Sequence, residues 1–352
     1  MAVTPAATVA AAPFVPRQAQ QTAAVGGACP TTVPRRLRAA RAPPRRARQF
    51  VAVQAASDLG FVDSAVGAAL LDWVLDNEGH VHPGLRVVED APCGGGRGVI
   101  ATEAISAEDS ANVPLLLVPD ALYMTSQVAR VGMGYYEERG APPLGELDNA
   151  TQLATLLAHE AAEGADSFYH PYIAALPSAA PNGWALGDAA MDAALAALAA
   201  GAGAGHAGQM EEWAAEARRT RATLESHCDA LHQRHAKYFR SEVTPETYFW
   251  AMGMVLSRAF SSHPQLGLAP LIDSMNHRAG ADHPEPVRVN GEEEDDTYFY
   301  VTAARDGFPA ALAAGDELCI RYVDAGTSPK DAWLSYGFVP PELWTPGAAQ
   351  PN

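Results

Sequence analysis

What most limits the folding of this chain is where its strand-like and helix-like segments fall. Short runs with strand character, at 85–88, 99–101 and 113–118, come before a long stretch with helical spacing. Two more, at 298–301 and 317–322, come after it. Between them lie helical segments at 149–162, 211–240 and 244–258 and an Ala/Gly tract over 189–208 that runs into a flexible segment. There is no β-α-β alternation, so the pattern predicts an α+β fold whose small sheets join distant parts of the chain. The expected divisions are a disordered leader (1–57), a first strand-bearing part (58–120), a helical insert (121–245), a second strand-bearing part (246–343) and a tail (344–352).

Local signals set several boundaries. Val62, Val66, Ala69, Leu70, Trp73 and Val74 recur at helical spacing over 61–77, and Gly79 reads as the left-handed residue that stops the helix. Thr244 reads as an N-cap with Pro245 at the first helical position. Residues 331–335 read as a short helix or turn, and 287–296 as an acidic, exposed loop. Gly94-Gly95-Gly96-Arg97-Gly98 allows close backbone approach to a ligand. It is no dinucleotide fingerprint, because the third glycine is absent and no clear helix follows. A plain hairpin turn explains it equally well.

Charge divides the chain. Residues 1–57 hold no Asp or Glu and eight arginines. Taking those eight from the 24 basic residues leaves 16 against 41 acidic ones. An acid-free, Arg-rich leader predicts an organellar transit peptide, with Val53-Gln54-Ala55 as a processing site. Chloroplast stroma is the expected destination and the mitochondrion the alternative. A basic tail that binds nucleic acid or membrane is the plainer reading. The acidic remainder argues against a nucleic-acid partner, which requires a basic face. It suits a basic protein or peptide. No apolar run approaches the roughly 18 residues of a membrane span.

The candidate chemistry gathers around residues 268–277, where an apolar run ends on Asp273, Asn276 and His277. Arg258 lies just upstream; Tyr322 and Tyr336 lie downstream. Taken singly, each has a structural reading. His277 fits a hydrogen-bonded core histidine, Arg258 a partner for Asp273, Asp273 a structural acceptor, and the tyrosines strand-packing aromatics. Asp273, Asn276, His277, Asp282 and His283 would also suit a metal cluster, but no second ligand pair has firm spacing, so no metal is expected. Cys93, Cys228 and Cys319 are far apart without a C-x-x-C pair, which predicts idle thiols.

In order along the chain, 96–101, 172–177, 250–260, 270–277, 315–322 and 336–338 together resemble the SET-domain protein methyltransferases. The subgroup is similar to the plant Rubisco large-subunit lysine methyltransferases and their relatives acting on plastid aldolase or actin histidine. The resemblance covers about 60–343. It implies small β-sheets with a knot-like crossing near Asn276-His277, a helical insert, and S-adenosyl-L-methionine as cofactor. It implies that Gly95, Gly96, Arg97 and Gly98 line the cofactor, that Arg258 meets its carboxylate, and that Asn276 and His277, with Asp273 beside them, hold its methionine and adenine parts. Tyr322 would be the catalytic tyrosine and Tyr336 the second tyrosine at the methyl-transfer pore.

The expected activity is protein-lysine N-methyltransfer to an organellar protein, with Rubisco large subunit or plastid aldolase as candidate substrates. A protein-histidine methyltransferase and a non-catalytic binding module on the same scaffold are the alternatives. Arg97 stands where the family commonly has an apolar residue. The chain ends 14 residues after Phe338, where the plant enzymes continue into a helical substrate-binding domain, so that domain is expected to be missing.

Overall fold

A computed structural model describes residues 56–93, 95–106, 115–137, 147–202, 207–234, 242–262, 265–281, 286–288, 297–301, 311–324 and 326–344. The expectations placed on the leader up to Ala55, Gly94, Asp282, His283, the acidic loop at 289–296 and the tail beyond Trp344 lie outside these residues. Ala56 is fully buried against Val88, Ala91 and Ile100. It therefore belongs to the folded part, not to the leader expected to end at 57.

The first helix, α1, is Ala65–Asp76; Ser64 caps it by accepting the Gly67 N–H at 3.1 Å. Its end corrects the expectation for Gly79. The left-handed residue is Glu78 (φ 68°), and Gly79 follows it, donating its N–H to the Val74 carbonyl at 2.9 Å. Glycine is needed at 79 for space, since a Cβ there would sit 2.5 Å from a Val74 methyl.

Strands β1 (His80–Val81), β2 (Leu85–Val88), β3 (Gly98–Ala101), β4 (Leu116–Pro119) and β5 (Met124–Thr125) come next. Helices α2 (Ser126–Glu137), α3 (Asn149–Glu163), α4 (His170–Ala175), α5 (Asp188–Ala202), α6 (Ala207–Arg234) and α7 (Pro245–Arg258) follow. The chain then returns to strands: β6 (Phe260–Ser262), β7 (Gln265–Leu268), β8 (Pro286–Arg288), β9 (Thr297–Val301) and β10 (Glu317–Leu318), before α8 (Pro329–Tyr336). Among the described residues no helix is long and apolar enough to cross a membrane.

Three antiparallel sheets join the two ends of the chain, in strand orders β1-β4-β9-β8, β10-β3-β2 and β5-β7-β6. The glycine-rich segment is the turn of the β2–β3 hairpin, Val88 opposite Gly98. β5 falls inside the range expected to be a purely helical insert. It pairs with β7, which ties the start of that range to the second strand-bearing part.

The strand expected over 317–322 pairs as a strand only at Glu317–Leu318. The chain then leaves β3, and Ile320 forms a parallel bridge with His277. The Ile320 N–H donates to the Asn276 carbonyl at 2.9 Å, and the Arg278 N–H donates to the Ile320 carbonyl at 3.1 Å. Backbone groups at one residue cannot serve two ladders, so the sheet ends where this crossing begins.

Most of the core among the described residues is one large cluster shared by sheets and helices, and Ala56, Val88, Ala91 and Ile100 form a second, smaller one. α7 runs through the large cluster, burying Tyr248, Ala251, Met252, Met254 and Val255. Thr244 caps α7 by accepting the Thr247 N–H at 3.2 Å, and Pro245 takes the first turn, where no donor is lost. Arg258 closes the last turn, at the end of the helix dipole that favours a cation.

Candidate functional site

Three segments meet at a cleft lined by Ser257, Arg258 and Phe260, by Asp273, and by Ile320, Tyr322 and Tyr336. The chain reaches it from β7 through Leu271, a fully buried residue at φ 69°, ψ −41°. A branched residue in this region costs on the order of 1–3 kcal/mol, so the packing around Leu271 must fix it. The turn swings Asp273 inward, with its side chain only 1% exposed.

Arg258 and Asp273 do pair. Arg258 Nη1 donates to the Asp273 carbonyl at 2.7 Å and lies 3.7 Å from its carboxylate. Tyr172 on α4 donates to Asp273 Oδ2 at 2.7 Å. Burial pushes the Asp273 carboxyl above the usual carboxylate range, while Arg258 pulls it back. Asp273 thus acts as an internal anchor for Arg258. Arg258 Nε is buried without a hydrogen-bond partner, while the side chain as a whole keeps 22% exposure on the cleft wall, and a guanidinium so placed suits an incoming carboxylate.

The Tyr322 hydroxyl donates to the Met275 carbonyl at 2.6 Å, and the Tyr336 hydroxyl donates to the Tyr322 carbonyl at 3.1 Å. Their ring centroids are 5.2 Å apart. Phe338, 38% exposed, stands 6.2 Å from each ring and forms the outer edge of this aromatic group. Burial pushes the Tyr322 phenol up to about 12, so it stays neutral and keeps its proton.

His277 lies beneath. Its Nδ1 accepts the Tyr322 N–H at 3.0 Å, which leaves the ring proton on Nε2, 2.6 Å from Glu342 Oε1. Both ring nitrogens are spent, so the ring is a clasp between Tyr322 and the 3₁₀ turn Pro341–Trp344. In a parallel bridge Ile320 bonds to the residues on either side of His277, so the N–H and C=O of His277 itself face away from it.

Asn276 reaches back to the glycine turn. Its Nδ2 donates to the Arg97 carbonyl at 3.0 Å and to Glu317 Oε1 at 2.7 Å, leaving the amide oxygen available. Gly98 is required there, since a Cβ would lie 2.8 Å from Asn276 Nδ2 and 2.7 Å from Glu317 Oε1. The Arg97 guanidinium is held by Glu89 (3.3 Å) and the Ala175 carbonyl. Gly95 (φ 62°) and Gly96 (φ 88°) form the exposed tip of the turn, with open space where a Cβ would stand. Of the residues singled out, Arg258, Asp273, Tyr322 and Tyr336 line the cleft itself. Gly98 and the Arg97 carbonyl join it through Asn276, while Gly95 and Gly96 stand apart.

Sequence reasoning passed over Glu317, Tyr172 and Glu342. Tyr172 opens the segment 172–177, one of those that carry the resemblance, but nothing local marked its partner. Glu317 had only its place in the motif segment 315–322, and Glu342 no signal at all.

No family profile matches the chain. A ribulose-1,5-bisphosphate carboxylase/oxygenase large-subunit N-methyltransferase of Nicotiana tabacum is 37% identical over 114 residues, which is 31% of this chain and 22% of that one. The protein of the same name from Pisum sativum is 33% identical over 110 residues, 30% and 22% of the two chains. A fructose-bisphosphate aldolase-lysine N-methyltransferase of Arabidopsis thaliana is 32% identical over 106 residues, 29% and 21%. All three names carry the word chloroplastic, and the matched part spans about a fifth of each relative.

The structure superposes on the SET domain of LSMT bound to lysine and AdoHcy with a TM-score of 0.60, at 21% identity, covering 78% of this chain and 57% of that one. The fold is that of a SET domain. A structure of Rubisco LSMT bound to AdoMet gives 0.58 at 22% identity, covering 79% and 57%. The small antiparallel sheets and the crossing at His277 and Ile320 are thus features of the SET fold, as the motif order implied.

Proposed function

We propose that the protein is an S-adenosylmethionine-dependent protein-lysine N-methyltransferase acting on a plastid protein. The observation that carries this reading is the convergence of Arg258, Tyr322 and Tyr336 on one cleft of the SET fold, with a buried guanidinium donor left unbonded. The matched relatives, methyltransferases of Rubisco large subunit and aldolase, make those two proteins the first substrates to try. The acid-free leader supports a plastid destination, with the stroma as the compartment.

The cofactor supplies a methyl group on a sulfonium. When it is bound, Arg258 would hold the carboxylate of its amino-acid end, and the amide oxygen of Asn276 would accept from its ammonium. The main chain of His277 would offer one donor and one acceptor to the adenine edge, while its ring keeps Tyr322 in place. Gly98 and the Arg97 carbonyl, tied to the cleft through Asn276, would border the same end.

Tyr322 and Tyr336 form the aromatic wall through which a lysine enters. Their low-polarity surroundings disfavour an ammonium and help it release its proton. In-line displacement needs the amine and the methyl held in register, which two fixed rings provide. With its proton committed to the Met275 carbonyl, the Tyr322 oxygen would act as an acceptor toward the polarised methyl.

Titration calorimetry with S-adenosylmethionine tests the reading, and absence of binding by the folded chain refutes it. Arg258→Ala is expected to weaken cofactor binding roughly 10- to 100-fold, the worth of a charge-assisted hydrogen bond. Unchanged affinity would remove Arg258 from the cofactor site. Labelled methyl transfer into a plastid extract, followed by mass spectrometry of the modified residue, separates lysine from histidine targets. Capture of a partner without labelling would favour the binding-module reading.

A further inference from the structure

Cys93 and Cys319 were read from the sequence as idle thiols far apart in the chain. In the fold, one Sγ from each cysteine and a carboxylate oxygen of Glu317 all lie within 4.8 Å of one another. The hairpin turn carries Cys93 to the point where the chain leaves β10, and Cys319 is the residue between β10 and the crossing at Ile320. Glu317 stands between them, 3% exposed. Its Oε2 accepts the Cys93 N–H at 2.5 Å and its Oε1 accepts from Asn276 at 2.7 Å. Among the described residues it makes no ion pair, and a buried carboxylate without a cation is a costly arrangement. Cys319 is fully buried, whereas Cys93 reaches solvent and gives the group an open side.

We propose that Cys93, Cys319 and Glu317 form a binding site for a thiophilic divalent cation of the zinc class. Two soft sulfur ligands and one carboxylate select such an ion over magnesium or calcium, which require oxygen shells. Tetrahedral coordination at about 2.3 Å for sulfur sets ligand atoms about 3.8 Å apart, so the group has to contract by at most about 1 Å. The exposed turn that carries Cys93 is the part free to make that movement. A water on the open side completes the four ligands. Both thiols lose their protons on binding and the released protons go to solvent, so affinity rises with pH.

The ion would link the glycine turn to the strand that leads into Tyr322. Because Glu317 also holds Asn276, the site would fix the turn against the cleft. The inference stands on these three residues and needs no assumption about methyl transfer.

The test uses the full reduced chain in a Cys29→Ser/Cys228→Ser background, so that only the two paired thiols remain. Cobalt(II) titration is expected to give a near-ultraviolet thiolate-to-metal band with visible bands of tetrahedral cobalt, saturating at one ion per chain and erased by zinc. Zinc in hundredfold excess over its dissociation constant should raise Tm by on the order of 5 °C. Cys93→Ser, at an exposed position, should abolish the bands while circular dichroism shows the chain still folded. Cys319→Ser should do the same, and the Cys93 arm decides if that variant fails to fold. No thiolate band in the reduced chain would overturn the proposal. So would a band that survives Cys93→Ser, or a Cys93–Cys319 disulfide forming under mild oxidation in a chain that takes up no metal when reduced.

Discussion

Replacing Tyr322 by Phe is expected to lower methyl transfer by about 10²- to 10³-fold, the usual cost of removing one prearranged polar group from a charged transition state. The ring stays, so the packing on Tyr336 (5.2 Å) and Phe338 (6.2 Å) is kept. What is lost is the hydroxyl, together with its bond to the Met275 carbonyl. That carbonyl is left unsatisfied, which adds about 1–3 kcal/mol of destabilisation. Cofactor affinity should change little, because Arg258, Asn276 and the His277 main chain are untouched. The measurement is single-turnover transfer alongside calorimetric binding. Activity within a few-fold of the parent would exclude Tyr322 from catalysis. A matching loss of binding would make it a structural residue instead.

Gly337→Ala should be the most damaging small substitution in the molecule, costing about 3–4 kcal/mol, in line with the severe class of strained or overpacked positions. Gly337 ends α8 at φ 79° and donates its N–H to the Trp333 carbonyl. A Cβ there would fall 1.9 Å from the Pro181 carbonyl oxygen, a backbone atom that cannot swing away. Asn182, fully buried, donates to the Ser335 carbonyl at 2.7 Å in the same loop. The loop therefore holds the helix end, and with it Tyr336. Denaturant unfolding measures the cost, and the surviving folded fraction should show weakened transfer as Tyr336 shifts. Gly95→Ala is the control. Its Cβ meets nothing within 4 Å, so only the left-handed strain, on the order of 1 kcal/mol, should register. Equal effects at the two glycines would refute the steric argument.

Both kinds of outcome were readable from the sequence to different depths. The Thr244-Pro245 start of α7 is local chemistry, an acceptor side chain and a missing donor where none is needed, and it stands as read. The helix end near Gly79 was located, but the left-handed residue is Glu78. A one-residue choice between two cap positions turns on the clash with Val74, which no local signal carries. The strand expected to reach Tyr322 stops at Leu318, because Ile320 is claimed by a segment distant in the chain.

The site divides in the same way. The resemblance of the ordered motifs to the SET-domain methyltransferases was enough to name the fold and to single out Arg258, Asn276, Tyr322 and Tyr336, most of which had a plain structural reading when taken alone. Only the folded molecule decided what holds them. Tyr172 pairs with Asp273, Glu317 with Asn276, and Glu342 with His277, each across a long sequence separation. It also turned the His277 ring from a ligand candidate into a clasp, and brought Cys93 to Cys319. The physical reason is common to all of these. Periodicity and capping are properties of neighbours in sequence, whereas a buried polar atom takes whatever partner the crossing of two distant segments delivers to it.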